Sequence, residues 1–273
     1  GLTESFAMIG GLLGEEALGF ATYNHISWRS SFVIFAILHF FVFILGYMLL
    51  AKRTGANAQS KPFHSLNIFE QLLPHLKNKQ IILNGLYSAC TFAVVIVFAG
   101  LLGIPFLKIQ YQLSEAQAVN GCSLLFLGLA IGMPVIGKLD QQQINRKKLM
   151  ISCGLIAAIL FLAIIFPFII LSPLQLYIGL FFIGFWLSSY VLPFVIVKEQ
   201  VPPEQKSSVI GFVNMMCFVI GALIVQPFSS VILQYYGDQQ PWPYQLALLP
   251  LIISLFIAMI IPFFFNNRTQ RSH

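Results

Sequence analysis

Residues 137–148, GKLDQQQINRKK, form a short polar stretch between two long apolar runs. The stretch contains four cationic side chains and a single acid. Each flanking run has about twenty mostly apolar residues, a length that crosses a bilayer as a helix. Because short loops rich in Lys and Arg remain in the cytoplasm, we interpret 137–148 as a cytoplasmic turn between two membrane-spanning helices.

The composition of the chain predicts a polytopic membrane protein. Of its 273 residues 58% are hydrophobic and 9% are charged, whereas about 25% are charged in an ordinary soluble domain. The net charge of +6 comes from cations dispersed through short loops, without a basic face interleaved with aromatic residues, so we expect no nucleic-acid partner. The four cysteines lie inside apolar runs without CxxC spacing, and we predict neither a disulfide framework, a metal site nor a cofactor.

Eight apolar runs are long enough to be membrane-spanning helices. The one long connection, 52–79, separates the first two runs from the other six, and its middle part, 64–76, is too short and too polar to span. We predict that this part lies at the membrane interface as an amphipathic helix. The eight runs are 3–23, 29–51, 80–106, 118–137, 148–171, 174–197, 207–234 and 244–265.

The distribution of cations predicts the orientation. If the runs alternate in direction, the side that holds 137–148 also holds most of the fifteen Lys and Arg residues, and only Arg29 and Lys108 lie opposite. The excess places both ends of the chain and the long connection in the cytoplasm. The cations on this side are Lys52, Arg53, Lys61, Lys77, Lys79, Lys138, Arg146, Lys147, Lys148, Lys198, Lys206, Arg268 and Arg271.

Several stretches resemble one transporter family. The residues Gly137, Lys138, Leu139, Asp140, Arg146, Lys147 and Lys148 are similar to the basic signature between the eighth and ninth helices of the major facilitator superfamily, in which an acid pairs with cations. In the family that acid usually stands one position later, where this chain has Gln141. The stretch 201–226 resembles the turn and eleventh helix of the family. Gly10, Gly14 and Gly19 are similar to its fifth-helix signature, with Glu15 at the proline position, and 27–29 resembles the turn before its sixth helix.

The resemblance implies an all-α membrane protein with eight transmembrane helices. Two of them would come from the N-terminal half of a major facilitator fold, and six would form a complete C-terminal half. The chain would then cover the fifth to twelfth helices, with the first four absent. The implied parts are two N-terminal-bundle helices (1–51), an inter-bundle loop with its amphipathic helix (52–79), a six-helix bundle (80–266) and a cytoplasmic tail (267–273).

Three ionisable side chains fall at mid-membrane depth by counting along the runs. Glu15 and Glu16 lie about 18 Å into the first run, and a charge in hydrocarbon is costly, so we predict that they are proton-coupling residues. Alternatively the helix begins later in the sequence, or Glu15 pairs with an Arg or the backbone of the absent half. His39 lies in the second run, where it is a neutral residue of a helix contact or a proton relay.

Polar and aromatic residues inside the later runs are candidates for a substrate cavity. On the third run they recur with helical spacing, which forms a stripe that either lines a wet cavity or bonds a neighbouring helix. Trp186 lies near mid-span, where an aromatic wall of a substrate site is expected. The predicted substrate-cavity residues are Asn84, Tyr87, Thr91, Trp186, Tyr190, Asn214 and Gln226.

The resemblance implies a secondary active transporter, and we predict proton coupling. Such a protein would move a small organic solute across the inner (plasma) membrane by alternating access, as a monomer within the lipid bilayer when full length. No HExxH, GxSxG or His-rich motif indicates an enzyme. The alternative is a non-transporting membrane receptor or structural fragment, which a flux assay in liposomes separates from a carrier. Nutrient uptake, amino-acid uptake and multidrug efflux remain open.

Overall fold

The computed structural model describes residues 2–54, 75–142 and 145–266, with side chains for 3–49, 75–142 and 145–266. All regular structure in these ranges is helical. The helices are α1 (Leu2–Tyr23), α2 (Trp28–Thr54), α3 (Lys79–Tyr111), α4 (Glu115–Gln141), α5 (Arg146–Ile165), α6 (Pro173–Gln200), α7 (Pro203–Tyr236) and α8 (Pro241–Phe264).

The predicted all-α membrane architecture is confirmed. Within the described ranges, seven helices are long and apolar enough to cross a membrane. The remaining one is α1, which carries Glu4, Glu15 and Glu16. That α1 also crosses the membrane stays a prediction. The proposed amphipathic helix at 64–76 lies almost wholly outside the described residues, which resume at His75.

The polar turn is shorter in the structure than the sequence indicates. Helix α4 continues through Gly137 and Asp140 to Gln141, and α5 starts at Arg146. The side chain of Asn145 accepts hydrogen bonds from the backbone N–H groups of the second and third residues of α5, at 3.0 and 3.3 Å. A polar sequence therefore marked the end of the apolar run, whereas the helix itself extends further, because helix hydrogen bonds do not require apolar side chains.

Glycines set the closest helix crossing, between α4 and α6. A Cβ at Gly128 would overlap the Phe181 carbonyl oxygen, and a Cβ at Gly184 would overlap that of Leu125. Gly132 lies one turn after Gly128 and faces the backbone of α6 in the same way. Small residues four apart let two membrane helices approach to backbone contact, which gains the dispersion energy that holds them together in lipid.

Helix α1 packs along α4 in the opposite direction. Gly11 faces the ring of Phe126, and Gly19 faces the side chain of Val119. Helix α2 packs on α1, and none of the residues in its most apolar stretch is buried.

Three helices change their pitch just before a proline. Helix α3 has a π-helical segment, Val95–Leu102, ahead of Pro105. Helix α6 has a 3₁₀ segment, Ser188–Val191, ahead of Pro193. Helix α7 has a second π-helical segment, Val219–Val225, ahead of Pro227, and it packs against the first. A proline has no backbone N–H, so the carbonyl four residues before it lacks its usual hydrogen-bond donor. Each of these segments contains that carbonyl, and the change of pitch gives the carbonyl another donor.

Candidate functional site

A buried charge cluster joins three helix ends of the six-helix bundle. The guanidinium of Arg146 donates to both carboxylate oxygens of Asp140, at 2.5 Å from Nε and 3.0 Å from Nη2. It also donates to both carboxylate oxygens of Glu199, at 2.5 Å from Nη1 and 3.0 Å from Nη2. Arg146 and Asp140 are buried, whereas the Glu199 side chain is 44% exposed. The sequence predicted that an acid would pair with cations here, but it did not point to Glu199.

Further bonds gather at the same end of the bundle, which we call the Arg146 end. Lys147 Nζ donates to the carbonyl of Phe265 beyond α8, at 2.6 Å. The side-chain oxygen of Gln80 in α3 accepts from the backbone N–H of Asn266, at 3.0 Å. These contacts join the start of α3, the start of α5 and the end of α8.

His75 contributes to the Arg146 end from the chain just before α3. Its Nε2 lies 3.0 Å from Ser208 Oγ near the start of α7, and its ring lies 6.1 Å from that of Phe212. The side chain is 1% exposed, and this burial lowers the pKa of His75 because it disfavours the charged imidazolium. The neutral form is therefore the one that holds the contact with α7.

The opposite end of the bundle, which we call the Glu115 end, has its own contacts. Lys108 in α3 and Glu115 in α4 form a half-exposed salt bridge with an Nζ to Oε2 distance of 2.5 Å. The hydroxyl of Tyr177 in α6 donates to the carbonyl of Gln117 in α4, at 3.2 Å. From α3 to α8, successive helices therefore begin alternately at the Arg146 end and at the Glu115 end, as expected for membrane-spanning runs that alternate in direction.

The polar stripe of α3 lies inside the bundle. Tyr87 is fully buried, its hydroxyl donates to the Met150 carbonyl at 3.1 Å, and it lies 2.8 Å from Ser189 Oγ. Thr91 bonds carbonyls of its own helix. The Nδ2 of Asn84 donates to the backbone carbonyl of Gln80, and the Oδ1 of Asn84 is buried without a partner among the described residues. Of these bonds, those of Tyr87 reach neighbouring helices as the helix-packing alternative expects, and a cavity role for the stripe stays a prediction.

The four remaining cavity candidates are spread over α6 and α7. Tyr190 is 3% exposed, and its hydroxyl lies 3.4 Å from Oε2 of Glu4 in α1. Trp186 is half-buried and packs edge-on against Phe185. Asn214 is exposed and Gln226 is half-buried on α7.

The contact between α1 and α4 determines the level of the acid pair. Between the Gly11 and Gly19 contacts, Glu15 and Glu16 lie level with the stretch of α4 around residue 122. At about 1.5 Å per residue, this level is about 10 Å from the Glu115 end of a helix that is about 40 Å long. Glu16 lines a cleft of about 250 Å³ together with Glu115 and Asn120. The pair therefore lies closer to the Glu115 end than the middle of α4 does. Counting residues along the sequence could not show this, because the start of a run does not give the register of α1 against its neighbour.

Among the described residues, Glu4 is an acid that meets the bundle near the middle of α6, and it was not among the residues predicted from the sequence. Its partner Tyr190 lies about 5 Å from the centre of α6, counted at about 1.5 Å per residue. Glu4 is the third residue of α1, and counting from the start of a helix places it at an edge. The spacing of Gly11 and Gly19 was a sequence signal for the face of α1 that packs on another helix, whereas the level at which α1 meets α4 is seen only in the structure.

His39 lies on α2 beside a cleft that α1 and α2 share. The cleft has a volume of about 360 Å³ and is also lined by Leu18 and Phe32. The exposed imidazole donates from Nδ1 to the Phe35 carbonyl one turn earlier, at 2.7 Å. This local bond satisfies one ring nitrogen, and a relay role for His39 stays a prediction.

Comparison with known families decides the class of this helical bundle. The sequence matches the profile of the Major Facilitator Superfamily over residues 1–218 and again over 90–273. The chain belongs to the Major Facilitator Superfamily. No curated protein matches the chain.

Membership in the Major Facilitator Superfamily makes the protein a secondary transporter of small solutes and a multi-pass integral membrane protein. The resemblance found in the sequence is confirmed. Superfamily members are transporters rather than enzymes. Within the described parts of the chain, no three His, Cys, Asp or Glu side chains come together as a metal ion would require.

Proposed function

We propose that the protein transports a small organic solute by alternating access and couples this movement to protons. In this scheme 80–266 moves as one body, and α1 and α2 belong to the other. This division is supported by the packing of α1 on α4 at Gly11 and Gly19. The packing provides a contact surface between the two bodies, across which they would rock.

The Arg146 end supports the idea that 80–266 moves as one body. Arg146 bonds α4 to α6, Lys147 joins α5 to the end of α8, and His75 bonds the chain before α3 to α7. A charge buried with hydrogen-bonded partners is costly to separate from them, so the bonded helix ends move together.

The acid pair of α1 is the observation that carries proton coupling. Glu15 and Glu16 lie at the crossing with α4, and both are partly buried. Helix neighbours point about 100° apart, so one of the two faces the crossing more directly. Burial disfavours the ionised carboxylate, and a change in burial as the bodies rock would therefore bind or release a proton.

Replacement of the acids tests proton coupling in the full-length protein. We expect that one of the two replacements, Glu15→Gln or Glu16→Gln, abolishes proton-driven accumulation or efflux in proteoliposomes. Solute exchange should remain measurable in that variant, because exchange needs no net proton movement. Glu204→Gln, which removes an exposed acid at the Arg146 end, is the matched control and should behave as wild type. Wild-type proton-driven transport in both single variants and in the double variant would show that the pair is structural.

We also propose that the protein lies in the inner (plasma) membrane with the Arg146 end and both ends of this chain in the cytoplasm. The support is the bias of thirteen among fifteen Lys and Arg residues, because cytoplasmic loops near membrane helices are enriched in these residues.

Single-cysteine labelling tests this orientation. With an impermeant thiol reagent on intact cells, we expect labelling of Asp238→Cys in the turn before α8 and no labelling of Glu204→Cys before lysis. Both positions are exposed, so accessibility alone does not separate them. The four native cysteines are buried and provide the background measurement. Labelling of Glu204→Cys or of Asn57→Cys from outside would overturn the assignment.

A further inference from the structure

We propose that Glu4, Phe92, Tyr190 and Phe218 bind the ammonium group of the transported solute. The inference rests on the proposed transport function and adds the chemical class of the solute, an organic amine or an amino acid. Glu4 comes from α1, and the three aromatic residues come from α3, α6 and α7.

The carboxylate of Glu4 is available to a ligand. One of its oxygens lies 3.4 Å from the hydroxyl of Tyr190, at the long end of hydrogen-bond distances. Within 3–49, 75–142 and 145–266, Glu4 forms no salt bridge with Lys, Arg or His. Its side chain is exposed on the face of α1 that meets the bundle at Tyr190. The carboxylate thus has lone pairs for a cationic donor.

A pair of aromatic rings adjoins Tyr190, the residue that contacts Glu4. The rings of Phe92 and Tyr190 have centroids 4.9 Å apart, and those of Phe92 and Phe218 have centroids 5.7 Å apart at 75°. Phe218 remains 48% exposed, so part of its surface is free. The faces of aromatic rings attract ammonium groups, and this attraction strengthens where water is excluded.

The backbone holds Tyr190 in place within a break of α6. Tyr190 lies in the 3₁₀ segment before Pro193. Its carbonyl accepts a hydrogen bond from the Ser88 hydroxyl of α3, at 2.9 Å. Pro193 accounts for the 3₁₀ stretch, and the bond from Ser88 fixes it against a neighbouring helix.

Charge and depth favour an ammonium ligand over the other ligand classes. Glu4 contacts α6 at Tyr190, which lies about 5 Å from the central level of that helix, and an isolated carboxylate near the middle of a membrane is costly unless a cation or a proton neutralises it. An anionic solute would be repelled, and a neutral solute could donate a hydrogen bond to the carboxylate but would not neutralise its charge. Asn214, one turn before Phe218 on α7, is exposed on the same face and offers an amide to a second polar group of the solute.

Four small probes of similar size test this assignment on the purified protein in detergent: 2-phenylethylamine, L-phenylalanine, 3-phenylpropionate and 2-phenylethanol. We expect that at least one of the two ammonium probes raises the melting temperature at a concentration about tenfold or more below that needed for 2-phenylethanol. The amine and the amino acid separate the two sources of an ammonium group. Failure of both ammonium probes, or equal potency of 2-phenylethanol or 3-phenylpropionate, would overturn the proposal.

Variants locate the effect. Glu4→Gln should remove the preference for the ammonium probe, Glu4→Asp should retain part of it, and Phe92→Leu should weaken it. Glu204→Gln and Phe256→Leu are matched controls at exposed positions and should keep the wild-type preference. A wild-type preference in Glu4→Gln would exclude the site.

Binding and flux are measured separately, so the two proposals can fail independently. If the ammonium preference depends on Glu4 but proteoliposomes of the full-length protein show no solute flux, the transport scheme is wrong and the binding site stands. If flux is present and binding does not depend on Glu4, the ammonium site is wrong.

Discussion

Gly128→Ala is expected to destabilise the protein by about 3 kcal/mol, the upper part of the range for overpacked cores. The added Cβ would overlap the Phe181 carbonyl oxygen, and backbone atoms cannot rotate away as a side chain can. The helices α4 and α6 would have to separate, and the contacts at Gly132 and Gly184 would loosen with them. The measurement is thermal unfolding of the purified protein in detergent, followed by tryptophan fluorescence.

Gly137→Ala is the control on the same helix. A Cβ at Gly137 meets nothing within 4 Å, so the replacement lacks the steric cost. It should be neutral or should stabilise the protein by about 0.5–1 kcal/mol, because alanine loses less backbone freedom in a helix than glycine does. Equal melting temperatures for Gly128→Ala and Gly137→Ala would show that the crossing is not as close as the structure indicates.

The second large effect is expected for Arg146→Gln, which should also cost about 3 kcal/mol, because removing one partner of a buried ion pair leaves the other uncompensated. Asp140 is 5% exposed and would lose its cation, whereas Glu199 is 44% exposed and can turn to water. Thermal unfolding measures the loss. Lys148→Gln removes an exposed cation two residues away and should change the stability by less than about 0.5 kcal/mol.

A double replacement separates the buried charge from general damage. Asp140→Asn removes the uncompensated carboxylate, so Arg146→Gln with Asp140→Asn should be more stable than the sum of the two single losses predicts. Strict additivity would mean that Asp140 and Arg146 do not interact, contrary to the bonds between them.

The helices and their alternation could be predicted from the sequence alone. Lipid offers no hydrogen bonds to the backbone, so a long apolar run has to be helical, and its length nearly defines the span. The predicted run 118–137 lies within Glu115–Gln141, and 174–197 lies within Pro173–Gln200. The pairing of Asp140 with the cations near Arg146 was also expected, because these residues lie close together in the chain.

The residues that meet across helices were decided only by the tertiary structure. Glu199 reaches Arg146 from another helix, and Glu4 reaches Tyr190 although the two are far apart in the chain. Each of these contacts depends on how far one helix is shifted and rotated against its neighbour. Hydropathy carries no such information, since a run remains apolar under any shift. The register follows instead from where glycines such as Gly19 and Gly128 admit another helix, and that contact exists only once both helices are in place.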